Sequence, residues 1–93
     1  MKEPTISEGS RGAGTYGVSK IIDVRRMEKI PERLKKVSGE LDGIEQGDYA
    51  EIVADDERML NRAPQMIKSI SKAKFIKLWK TDDGYFHTLV EKL

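Results

Sequence analysis

The 93-residue sequence predicts one α/β domain: a two-layer sandwich of order β-α-β-α-β-β, with a four-stranded mixed sheet and two helices on one face. Three observations lead there. Short β-branched or alternating apolar runs recur four times, and apolar stripes of helical spacing lie after the first and second of them. A proline opens the first helical stretch and an Asp-Asp-Glu run opens the second, both helix-start chemistry. Asp-Gly separates the last two strand-like runs, a strong hairpin signal.

Each element follows in order. From Lys20, Ile21, Ile22 and Val24 form a β-branched run with strand composition. Pro31 suits the first turn of a helix, where its missing N–H removes no bond. Leu34, Val37, Leu41 and Ile44 then fall on one helical stripe. Gly39 weakens that helix by about 1 kcal/mol relative to alanine, and Gly43 is a natural stop. After a Gly47-Asp48 turn, Tyr49 to Ala54 alternates as a second strand.

Asp55-Asp56 can cap the next helix, and Glu57 suits the positive end of its dipole. Its stripe is Met59, Ala63, Met66, Ile67 and Ile70. Pro64 interrupts it, predicting a bend or a helix that restarts at Pro64. Phe75–Lys80 and Tyr85–Val90 read as the last two strands. Asp83-Gly84 between them predicts a two-residue type I′ turn, with positive φ at both positions. Right-handed β-α-β crossovers place both helices on one face.

Residues 1–18 are rich in glycine and serine without apolar period. They read as a flexible tail ahead of a domain over 19–93. Gly9, Gly12 and Gly14 resemble a phosphate loop only superficially, because no strand precedes them and no Gly-Lys-Ser/Thr follows.

Composition narrows the chemistry. Hydrophobic residues make up 38% and charged residues 35%, the balance of a globular protein. There is no cysteine, which removes disulfides, thiolate zinc sites and cysteine nucleophiles. With a single histidine, His87, the expectation is no metal, no cofactor and no enzyme. No apolar run is long enough for a membrane span and no signal-peptide pattern opens the chain, so the expected setting is cytoplasmic. Net charge is +1 but unevenly placed: Glu40–Glu57 holds eight acids and no base, Arg58–Lys80 seven bases and no acid. Such blocks pair across a fold or leave a basic face.

Several short blocks together resemble the TusA/SirA-like family of sulfur-relay carriers. Asp23-Val24-Arg25, Ala54-Asp55-Asp56, Pro64 and Asp83-Gly84-Tyr85 stand in register with that family's pattern, and Pro31 and Gly47 fall on two further positions. The resemblance spans about residues 20 to 93. It departs where the family's chemistry resides. Ile30 occupies the position of the sulfur-bearing cysteine, Arg33 that of a second proline, Arg26-Met27 replaces Gly-Leu, and one extra residue precedes Ile30. A cysteine-less group of the same fold carries Asp-Val-Arg and Pro-Glu-Arg, to which Pro31-Glu32-Arg33 is similar. The resemblance implies the fold without persulfide chemistry, since an aliphatic side chain cannot accept sulfur.

Candidate residues follow. Arg25, Arg26, Lys29, Pro31, Glu32 and Arg33 surround Ile30 and form the candidate anion or partner surface, at a helix N-terminus. Glu28 and Glu32 are a carboxylate pair with the composition for acid–base work, though one turn of charged surface explains them equally. His87 alternates with Tyr85 and Leu89, the pattern of a partly covered strand histidine. Met59 and Met66 read as core. Phe75, Lys77 and Trp79 alternate on one strand face, a pattern able to stack bases. The expected function is therefore a non-catalytic interaction or anion-binding domain, monomeric or weakly dimeric. Its partner is a protein, of sulfur or redox metabolism by resemblance. The alternatives are an RNA-associated module using Arg58–Lys80 and an assistant in sulfur transfer for tRNA thiolation.

Overall fold

The computed structural model describes residues 17–93, apart from the side chains of 58–60. The tail through residue 16, its glycine pattern and the Met59 side chain lie outside the described residues. The chain runs β1 (Val18–Asp23), α1 (Ile30–Leu41), β2 (Tyr49–Ala54), α2 (Arg58–Ile70), β3 (Ala73–Lys80) and β4 (Phe86–Lys92). Val18 thus belongs to β1 rather than to the stretch before it. The sheet order is β1-β2-β4-β3. β1 and β2 are parallel, joined through α1, whereas β4 is antiparallel to both β2 and β3.

Period-two alternation sorts the sheet's side chains. Ile22, Val24, Ala50, Ile52, Ala54, Phe86 and Val90 form one face, and Val37 and Leu41 of α1 with Ala63, Met66 and Ile67 of α2 pack on it as one core. Both helices therefore cover the same face. On the other face Glu51, Val53, His87 and Leu89 are buried as well.

Four local details differ from the sequence-based expectation. First, α1 ends at Leu41, so Ile44 packs from the following loop rather than from the helix. Lys92 Nζ reaches across to donate to the carbonyls of Leu41 (2.9 Å) and Ile44 (3.2 Å), satisfying acceptors at the helix end. Second, Glu57 stands at the α2 N-cap without a side-chain cap bond; Asp55 and Asp56 are committed elsewhere, as described below. Third, α2 does not restart at Pro64 but continues through it, with the ring on the exposed side.

Fourth, the closing hairpin is not a type I′ turn. Gly84 alone has positive φ (+90°), and Asp83 does not. Gly84 N–H donates to Thr81 O (2.9 Å) and Thr81 N–H to Tyr85 O (3.0 Å). This is a turn followed by a left-handed glycine, the hairpin connection next in frequency to the two-residue turns. In β3, a register shift between Phe75 and Lys77 turns Phe75 toward the core while Lys77 and Trp79 stay on the opposite face. The expected Phe75–Trp79 face therefore does not exist.

Candidate functional site

The carboxyl ends of β1 and β2, the start of α1 and the approach to β4 all meet at one end of the sheet. Ligand sites of open α/β sheets favour that edge, where loops leave the strands together. Here Asp23, Arg25, Arg26, Asp55 and Tyr85 line a cleft of about 240 Å³.

Arg25 is the most constrained group in it. Its Nε donates to Asp23 Oδ1 (2.9 Å) and its Nη2 to Asp23 Oδ2 (2.8 Å), a two-pronged pair, while its backbone N–H donates to the same Oδ1 (3.0 Å). The guanidinium carbon lies 4.7 Å from the centre of the Tyr85 ring, a cation–π contact that fixes its plane. Bonding to Arg25 holds the Asp23 carboxyl down at about 2, below the ordinary 3.8, and Asp23 in turn raises Arg25 further above its usual range. Nη1 makes no bond to a carboxylate.

The next residue turns the chain. Arg26 has φ +74°, in the left-handed region, and its N–H donates to Asp55 Oδ2 (3.0 Å). Its exposed side chain has no ion pair among the described residues. The aspartate pair expected to cap α2 instead ties the two crossover loops together. Asp56 accepts both guanidinium prongs of Arg33, Nη1 (3.1 Å) and Nη2 (2.9 Å), and Arg33 Nε donates to Met27 O (2.5 Å). Asp55 Oδ1 is 3.7 Å from the same guanidinium.

The sequence-named cluster is thereby divided. Arg25 and Arg26 line the cleft. Lys29, Pro31 and Glu32 are exposed at the start of α1, and Ile30 is half-buried against the core. Arg33 is not a surface cation: it is 1% exposed. Its place four residues before Val37 and eight before Leu41 puts it on the buried stripe of α1, a signal present in the spacing. The first α1 amides are also partly committed, since Glu32 and Arg33 N–H both donate to Lys29 O.

A second polar array centres on His87. His87 Nδ1 is 2.5 Å from Glu51 Oε2, with Glu51 1% exposed, and its Nε2 is 3.1 Å from Thr81 Oγ1. Trp79 stacks on the imidazole at 5.4 Å. Carboxylate, imidazole and hydroxyl in this order resemble a nucleophile relay. However, Thr81 Oγ1 also donates to Asp83 Oδ1, so its proton is directed into the hairpin and away from the ring. That bond, with Tyr85 N–H (3.2 Å), holds Asp83 below its ordinary pKa. The array fastens the hairpin that presents Tyr85 to Arg25. Burial of Glu51 was not legible because its partner lies 36 residues away.

The basic segment spreads over different surfaces. Arg62 and Lys68 are exposed on α2, and Lys74, Lys77 and Lys80 on the edge strand β3, where lysines commonly block strand-to-strand association. Lys72 pairs with Asp42 of the acidic block (2.9 Å). Among the described residues no helix is long and apolar enough to cross a membrane, and no group of three or more acidic, histidine or cysteine residues is placed to hold a metal. No family model and no curated protein matches this chain.

Proposed function

We propose that this chain is a non-catalytic interaction domain of the sulfur-relay carrier fold, offering the Arg25–Arg26 cleft to a small anion or to an anionic group of a protein partner. The observation that carries this reading is convergence. Three separated blocks, Asp23-Val24-Arg25, Asp55-Asp56 and Tyr85, contribute to one cleft or its immediate support, beside the helix start at Ile30. The Asp23 carboxylate and the Tyr85 ring immobilise Arg25 before any ligand arrives, which lowers the ordering cost of binding. An arginine so held suits a planar or tetrahedral oxyanion. Ile30, at the position of the family's cysteine, offers hydrocarbon and no thiol, so the reading is of recognition rather than sulfur transfer. A partner from sulfur or redox metabolism is part of the proposal through the resemblance alone.

The test is a titration of sulfate and thiosulfate followed by amide and guanidinium NMR signals. Saturable shifts at Arg25, Arg26 and Asp55, lost in Arg25→Gln, are expected. Signals unmoved at low ionic strength would remove the anion reading.

A further inference from the structure

The cleft wall carries both signs of charge: two guanidinium groups and two carboxylates. Their hydrogen-bonding capacity is unequally committed. Asp23 accepts three donors from Arg25 alone, on both of its oxygens. Asp55 accepts the Arg26 N–H on Oδ2, whereas its Oδ1 has only a 3.7 Å approach from Arg33, beyond hydrogen-bond length. On the cationic side, Arg25 Nη1 and the whole Arg26 guanidinium are not engaged by any carboxylate among the described residues. The cleft therefore presents one carboxylate oxygen without a hydrogen bond, together with the Arg26 guanidinium and an Arg25 edge that Tyr85 touches but no carboxylate occupies. At about 240 Å³ it lies below the roughly 300–1,000 Å³ that drug-sized ligands occupy.

From this we infer that the ligand is a small zwitterion, a free α-amino acid, with its carboxylate on Arg25 and Arg26 and its ammonium on Asp55 Oδ1. This rests on the anion reading and narrows it. A simple anion would leave the cleft with three negative charges against two positive ones. An ammonium on the same molecule offsets that excess through a charge-assisted bond.

Ligand chemistry tests it without altering the protein. Glycine, N-acetylglycine, glycinamide and acetate are titrated in parallel by calorimetry and NMR. Glycine is expected to bind about tenfold or more tightly than N-acetylglycine, glycinamide or acetate, each of which lacks one charge. Asp55→Asn keeps an oxygen for the Arg26 N–H, and its retained fold is checked by circular dichroism. It is expected to remove the glycine advantage, weakening glycine while acetate, no longer facing the Asp55 charge, binds somewhat more tightly. Equal binding of glycine and acetate, insensitive to Asp55→Asn, would overturn the zwitterion and leave the anion reading standing. Failure of all four ligands, together with sulfate, would overturn both.

Discussion

At the scale of single residues, Arg26 is the position where backbone and side chain disagree. A left-handed φ of +74° places Cβ close to a carbonyl, at a cost of about 1–2 kcal/mol for a residue other than glycine. The bond from its N–H to Asp55 holds that conformation, and the side chain is left to the cleft. Arg26→Gly keeps the N–H and removes the clash, while the unfolded chain gains some freedom that offsets part of the gain. Thermal or urea unfolding is therefore expected to show a protein more stable by up to about 1 kcal/mol, with anion binding weakened. Loss of stability in this variant would mean that the Arg26 side chain contributes packing not evident from its exposure.

At the scale of elements, the β3–β4 hairpin depends on one glycine and one polar array. Gly84 takes φ +90° with open space around its Cα, so a methyl group there meets no neighbour and the cost of replacing it is conformational. Gly84→Ala is expected to destabilise by about 1–2 kcal/mol in chemical denaturation. Because Tyr85 follows directly, the same variant should loosen the Tyr85–Arg25 stack, read as averaged guanidinium signals. The Asp-Gly pair marked this hairpin correctly in the sequence but not its turn type. The choice between a two-residue turn and a turn plus left-handed glycine is made by the register of β4 on β2 and β3, which local propensity does not contain. The β3 bulge is similar: one extra residue between Phe75 and Lys77 reverses the alternation, and only the paired strand shows it.

At the scale of the whole molecule, Arg33 joins both crossover loops. Its guanidinium binds Met27 O in the loop before α1 and Asp56 in the loop before α2, from a side chain that is 1% exposed. Arg33→Met fills much of the volume but leaves the Met27 carbonyl and Asp56 without that donor. Because Asp56 remains one-third exposed and water can reach it, the cost is expected near the lower end of the range for broken buried pairs, about 3 kcal/mol. Denaturant unfolding measures that cost. Cleft signals in the still-folded fraction should shift as the Asp55–Asp56 loop keeps only its bond to the Arg26 N–H. A variant as stable as the parent would show that the Arg33 bridge adds nothing to what packing and the Arg26–Asp55 bond already supply.

Much of the architecture was determined by the sequence itself, since short-range periodicity and turn chemistry are local properties. The four strands, the two helices and their shared core face follow from apolar spacing, Pro31, Gly47 and Asp83-Gly84. Arg25 and Arg26 were named as candidate site residues by charge next to a helix start, and both line the cleft. Tertiary structure alone decided which charges remain available: Arg33 was drawn inside by Asp56, Asp55 took the Arg26 N–H, and Glu51 met His87 across two strands. Each of these outcomes depends on a partner 23 to 36 residues distant, and whether a charge stays in water is settled only when the chain brings its counterpart within bonding distance.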